Sequence, residues 1–259
     1  MNQKEVYNRL MKRIVLCDAG DYKKVTELCI KYSLGVNIDV STPEYYLMYN
    51  PNEINEIIEG YRNVEIFSVN GSFEDLNFWS ADELIREVTT KRYEYAYEIS
   101  CKLKCRNIVL PNGCGPSAIY HPSLYVGTMV WKDFLKNKDK ESIFYIKNVL
   151  DHSPVILNEL INIVDKDNLK MCFDIGYANT HSKIKITEWI EKVNKNIGFV
   201  KLYNNNGEAN EHNGLNNGKI NMIEICTALE QYCPNAIWEI ETAEYEDSIN
   251  WLNENKYIK

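Results

Sequence analysis

Eight times along this chain a short apolar run has a polar residue at or within two positions of its end and gives way to a stretch with helical apolar spacing. The runs are Arg13–Asp18, Gly35–Val40, Val64–Asn70, Asn107–Leu110, Ser142–Lys147, Lys170–Asp174, Gly198–Tyr203 and Ala236–Glu241. Apolar runs of this length read as strands buried on both faces, and buried strands separated by helices pair in parallel. Eight units fit a closed (β/α)8 TIM barrel better than an open doubly wound sheet, and 259 residues is the usual size of one such barrel. No G-x-G-x-x-G follows the first run, which weakens the dinucleotide-binding alternative. No break in composition divides the chain, so a single α/β domain spanning 1–259 is expected.

The helices follow from spacing and punctuation. Val25, Leu28, Cys29 and Tyr32 share one face, as do Ile54, Ile57, Ile58 and Tyr61 after Pro51. Ser80 with Glu83 reads as a capping box opening a helix to about Leu103. Later helices are expected over Tyr125–Leu135, Pro154–Val164, Ile184–Val193, Ile220–Tyr232 and Glu246–Leu252.

Bulk chemistry narrows the partners. A formal charge of -8 and a pI near 5.2 argue against nucleic acid. No apolar stretch reaches the roughly 18 residues of a membrane span, and the first thirteen residues lack a signal peptide's apolar core, so cytoplasm is the expected location. Of eight cysteines, Cys17, Cys29, Cys172 and Cys226 sit in apolar contexts and read as buried thiols. Cys101 and Cys105 have no histidine nearby to complete a zinc site, and a disulfide framework is not expected.

In a barrel of this kind chemistry gathers where the strands end. Those ends carry Asp18, Asp39, Asn70, Asn112, Lys147, Asp174, Lys201 with Tyr203, and Glu239 with Glu241. Glu239 and Glu241 point the same way because strand periodicity is two. Asp174, His212 in the loop after the seventh strand, and one of those glutamates form the obvious set for one divalent ion. Lys147 and Lys201 complicate it: a lysine beside an ion is repelled and must find an anion. Each can pair with Asp174 or Glu239 and replace the metal as the local positive charge, or bind an anionic substrate, or act as a base. Trp79, Tyr177 and Tyr203 are candidates for the pocket wall. The structural alternatives are a helix-capping Asp174, a surface His212, and lysines that snorkel out of the strand ends.

At these tips the chain resembles the xylose-isomerase-like barrel superfamily, which includes sugar-phosphate isomerases and epimerases and the endonuclease IV type of apurinic-site nuclease. The resemblance lies in the pattern of strand ends over nearly the whole chain. Asp174, Ile175, Gly176 and Tyr177 match the family's Asp-x-Gly-His with the imidazole gone, and Asn210, Glu211 and His212 precede a matching turn. Asn70, Leu110, Lys147 and Lys201 stand where the family carries other ligands. The resemblance implies a degenerate metal site of Asp174, His212 and Glu239, holding one Mn, Mg or Zn ion or none. It also implies proton transfer on a sugar or sugar phosphate. Lys147, Lys201, Glu239 and Glu241 are then the catalytic candidates, with Asp39, Asn70, Asn112, Tyr177, Tyr203 and Trp79 binding substrate. A repurposed barrel that binds a small polar ligand without turnover is the alternative, and a metal-dependent nuclease-like hydrolase ranks third. A homodimer is plausible for such a group.

Overall fold

The computed structural model describes residues 14–18, 21–40, 51–72, 75–113 and 120–258. Cys114, most of the Gly/Pro-rich loop after the fourth strand and the N-terminal segment lie outside them. Eight parallel strands close on themselves in chain order: β1 (Ile14–Asp18), β2 (Gly35–Asp39), β3 (Ile66–Asn70), β4 (Asn107–Pro111), β5 (Ile143–Lys147), β6 (Leu169–Asp174), β7 (Ile197–Leu202) and β8 (Ile237–Ile240). β8 returns to β1 through Ile14↔Trp238 and Leu16↔Ile240, so no sheet edge is left open.

The helices on the outside are α1 (Tyr22–Tyr32), α2 (Pro51–Gly60), α3 (Glu83–Lys102), α4 (Tyr120–Leu135), α5 (Val155–Val164), α6 (Ile175–His181), α7 (Ile186–Val193), α8 (Met222–Tyr232) and α9 (Tyr245–Glu254). Strand bounds differ from the expected ones by a residue or two at most ends, the usual scatter of terminal residues. Three helix expectations need correction, and the first is α4, which starts at Tyr120 and not at the expected Tyr125. Asp82, not Ser80, caps α3, its carboxylate accepting from Leu84 N at 2.9 Å, while Ser80 Oγ accepts from Asp82 N. The sixth helical unit is two helices, because Asp174 ends β6 and at once caps α6 by accepting from Tyr177 N at 2.9 Å.

Period-two alternation sorts the strand side chains into two cores. Outward residues such as Leu16, Val36, Ile108, Phe144, Phe173 and Trp238 are buried under the helices. Phe78, Tyr93, Trp131 and Phe134 interlock there, Phe78 lying 4.5 Å from Tyr93 and 5.0 Å from Trp131 between ring centroids. Inward residues Val15, Val109, Tyr145, Cys172 and Phe199 fill the barrel as a separate apolar plug. Burying each large side chain contributes about 1.5–3 kcal/mol, so the plug is a firm floor for whatever lies above it.

Candidate active site

Above the plug the inward positions turn polar. Asp174 on β6 pairs in register with Lys201 on β7, and Lys201 with Glu239 on β8. On the other side Cys17 aligns with Asn37, Asn37 with Ser68, and Asp39 with Asn70. Parallel registration places all of these on the inner face at the strands' carboxyl ends. The structure brings Lys147, Asp174, Lys201, Glu239 and Glu241 into one charged cluster.

Lys201 is the centre of it. The residue is 1% exposed, and its Nζ lies 3.1 Å from Glu239 Oε2 and 2.8 Å from Glu241 Oε1. Glu239, fully buried, also accepts from Asn37 Nδ2, and Ser68 Oγ donates to Asn37 Oδ1 at 2.9 Å. A chain of donors from β2 and β3 thus fixes the β8 carboxylate, and Glu239 has little freedom to swing. Glu241, one step beyond β8, is more open, with 16% of its side chain exposed. Lys147 Nζ stands 3.9 Å from Asp174 Oδ2 and 5.3 Å from the centre of the Tyr177 ring. Both lysines therefore pair with carboxylates instead of snorkelling outward.

Asp174 does two jobs. Its Oδ1 caps α6 and accepts from Tyr203 Oη at 2.6 Å, while its backbone N and O are bonded to the Asn148 side chain at 2.7 and 3.0 Å. Gly176 lies under the Tyr203 ring, where a Cβ would come within 2.0 Å of Tyr203 Cε2. His212 lies at the rim. Its ring stacks on Tyr203 at 4.1 Å, Nδ1 bonds the Glu241 carbonyl oxygen at 3.2 Å, and Nε2 faces Asn210 Nδ2 at 2.9 Å. Its backbone is left-handed, φ 51°, a strained setting for a non-glycine residue that the Asn204↔Asn213 bridge holds in place.

Trp79 is buried, its indole N–H on the Asn112 carbonyl at 2.8 Å, and Asn112 Nδ2 donates to Asp151 at 3.0 Å. Asn112 and Trp79 thus tie the β4 tip to the following loops. Asn70 remains at the pocket, Nδ2 on Cys17 Sγ at 3.8 Å and Oδ1 without a donor. Asp39 ends β2 opposite it, and Tyr177 lies beside Lys147. Cys17 and Ser68 were missing from the sequence candidates, and Asn37 was legible only as sharing a strand face with Asp39. Their one sequence signal was polar or thiol residues alternating along otherwise apolar strands.

Electrostatics separate the two glutamates. Burial raises the Glu239 carboxyl, and Lys201 does not fully offset it. Burial also acts on Glu241, but Lys201, Lys147 and His212 together pull it below the usual range. Burial alone would lower Lys201; the paired carboxylates instead hold it well above an ordinary lysine, so it stays an ammonium. Burial and then Glu239 push the Cys17 thiol well up, which keeps it S–H. Burial raises Asp174 despite Lys147.

Among the described residues, the His, Cys, Asp and Glu side chains placed to share an ion are Cys17, Glu239 and Glu241, with ligand atoms within 4.8 Å of one another. Of the expected set only Glu239 belongs to it. Among the described residues no helix is long and apolar enough to cross a membrane.

No family model matches the chain. The uncharacterized protein MJ1311 of Methanocaldococcus jannaschii is 28% identical over 221 residues, 77% of this chain and 72% of that protein. A D-tagatose 3-epimerase-like protein superposes with a TM-score of 0.76 at 22% identity, covering 95% of this chain and 96% of its own. A zinc-bound IolI protein gives a TM-score of 0.72 at 15% identity, over 95% and 96%. The chain thus has the closed barrel fold of solved sugar epimerases and of a xylose isomerase domain protein from Planctomyces limnophilus, and its mouth carries an incomplete metal-binding cluster.

Proposed function

We propose that this barrel is an isomerase or epimerase that moves a proton at the carbon beside the carbonyl of a small polyhydroxy substrate, with lysine ammonium groups in the role of a divalent ion. The observation that carries this reading is the Lys201 ammonium, bonded to both strand-eight glutamates. A divalent ion on the same carboxylates would sit about 2–2.5 Å from their oxygens and against that ammonium. Two cations so close repel strongly in a low-dielectric site. The residues present therefore do not fit an ion at Glu239 and Glu241 beside a charged Lys201, and no step is routed through one.

The neighbouring groups can do the chemistry. Glu241, ionised and the more open of the pair, is placed to take the proton. Lys147, across the mouth on β5, is placed to return it or to hold the enediolate oxygen. Lys201 keeps Glu241 charged and adds positive potential where negative charge develops. Asn70 and Asp174 offer oxygens to substrate hydroxyls. Glu239, locked by Asn37, sets the position of Lys201. The epimerases among the structural neighbours support the reaction class.

Binding without turnover is the second reading, favoured by the Lys147–Asp174 pair, which leaves Lys147 a restrained base. Incubation with ketoses and aldoses in D2O separates the two. The isomerase reading expects deuterium at the carbon beside the carbonyl, lost in Glu241→Gln with ligand binding retained. Binding with no exchange in the wild-type protein would leave only the second reading.

A further inference from the structure

Five times in this chain asparagine is followed by glycine: at Asn70, Asn112, Asn206, Asn213 and Asn217. In such a step the glycine's backbone nitrogen can attack the asparagine side-chain carbonyl carbon, since no Cβ on the glycine blocks the approach. The attack needs an N–H that can lose its proton, an amide that can turn, and access to water.

Four of the five steps are locked by the fold. Gly71 N donates to the Val109 carbonyl at 2.9 Å, Gly207 N to Asn205 Oδ1 at 3.0 Å, and Gly214 N to Glu244 Oε1 at 3.0 Å. Asn112 is fully buried, its Oδ1 accepting from Trp79 Nε1 at 3.0 Å and its Nδ2 donating to Asp151 at 3.0 Å. The fifth step differs in each respect. Asn217 and Gly218 are both exposed. Among the described residues the Gly218 N–H meets no acceptor. The Asn217 amide is held there only by long bonds from Nδ2 to Glu244, 3.3 Å to Oε1 and 3.5 Å to Oε2.

We infer that Asn217–Gly218 is a self-modification site, at which this loop converts its own asparagine to isoaspartate and aspartate without an enzyme. Gly218 N gives its proton to solvent base and bonds to Asn217 Cγ. The Cγ–Nδ2 bond breaks, and the departing nitrogen takes a proton back and leaves as ammonia. Water then opens the five-membered imide. Cleavage at Cγ leaves aspartate, and cleavage at the backbone carbonyl leaves isoaspartate; nothing is oxidised or reduced.

The position gives the change a structural consequence. Gly218 is seated so closely that a Cβ there would overlap the Asn204 amide oxygen. That same amide staples the loop: Oδ1 accepts from Ile220 N at 2.9 Å, and Nδ2 donates to the carbonyls of Leu215 at 3.0 Å and Ile220 at 3.1 Å. Isoaspartate adds a methylene to the backbone immediately before this seat, and either product sets a new carboxylate beside Glu244. Both changes work against the staple, so conversion loosens the segment that follows β7. None of this depends on which ligand the mouth takes.

The full-length protein is incubated at mildly alkaline pH, native and in urea, and each Asn-Gly step is followed by peptide mass mapping. An isoaspartyl carboxyl methyltransferase with a labelled methyl donor counts the isoaspartate. In the native protein Asn217 is expected to convert at least about tenfold faster than any of the other four, which must first break a hydrogen bond or leave a buried site. In urea the five rates should converge, because the same dipeptide then meets the same solvent. A smaller native margin, or no conversion at Asn217, overturns the inference. Asn217→Ser should lose most of the native methyl incorporation, and unchanged incorporation overturns it too. Aged wild-type protein should melt below both fresh protein and aged Asn217→Ser; equal midpoints overturn the loosening and leave the site of conversion standing.

Discussion

Replacing Lys201 with methionine keeps most of the side-chain volume and removes the charge. The change strands Glu239, fully buried, and Glu241, 16% exposed, without the ammonium that now lies 2.8–3.3 Å from their oxygens. Breaking a buried pair by deleting one partner costs about 3–5 kcal/mol because the remaining charge stays desolvated. That loss should depend on pH, with a definite sign. Without the ammonium the folded-state carboxyl pKa values rise above their unfolded values. The variant then keeps its stability at low pH and loses it as pH rises through those raised values. Each proton held by the folded state but not the unfolded one changes stability by about 1.4 kcal/mol per pH unit. Urea unfolding at pH 5 and pH 8, wild type against Lys201→Met, reads the difference directly through the midpoint and slope. The expected deficit is about 3–5 kcal/mol at pH 8 and at most half of that at pH 5. Lys192→Met, which breaks an exposed helical pair to Glu188, is the control and should cost about 0.5 kcal/mol or less at either pH. A Lys201→Met deficit below about 1 kcal/mol at pH 8, or one that does not shrink on acidification, would refute the view that the cluster is a charge-compensated unit.

Other expectations concern the loops that frame the mouth. Burial pushes the Asp151 carboxyl up to about 6, against hydrogen bonds from Val149 N and Asn112 that lower it. Its raised folded value means stability is highest below pH 4 and declines as pH rises to about 6; Asp151→Asn should therefore gain about 1–2 kcal/mol over wild type at pH 7 and nothing at pH 4, read by urea unfolding. Gly176→Ala drives a methyl group into the Tyr203 ring and should cost about 3 kcal/mol or more, with a correspondingly lower thermal midpoint; an unchanged midpoint would mean the ring has room to move. Tyr203→Phe leaves Asp174 Oδ1 with only its capping bond and should cost about 1–3 kcal/mol in urea unfolding.

The barrel was legible because buried parallel strands impose a pattern that no local detail can hide. Apolar runs ending in Asp18, Lys147 or Asp174 fixed both the strand count and the end at which polar groups collect. The site was only partly legible. Periodicity placed Glu239 and Glu241 on one side, and both do bond Lys201. What periodicity lacks is the closure of β8 onto β1, which brings Asn37 on the next strand, β2, against Glu239 across a sequence separation of 202 residues. A helix-capping Asp174 was one of the sequence's alternatives and is what the structure shows, but the extent of α6 was not legible because its cap is the strand-ending residue itself, leaving no gap to mark a new element. The loop after β7 is rich in asparagine, yet Asn204 and Asn205 are buried staples, Asn204 Nδ2 donating to the carbonyls of Leu215 and Ile220. Asparagine is polar in any composition count, and only tertiary contacts reveal which ones spend their amides on backbone.

The most direct measurement is divalent-ion binding to the purified protein and to Lys201→His, by calorimetry with Mn2+ and Zn2+ and by elemental analysis after dialysis. The expected result is no stoichiometric ion on the wild-type protein and about one per chain on Lys201→His, where a neutral imidazole joins Glu239 and Glu241 in place of the ammonium. One tightly held ion per wild-type chain, lost in Glu239→Gln, would contradict the claim that lysine fills the cation's place.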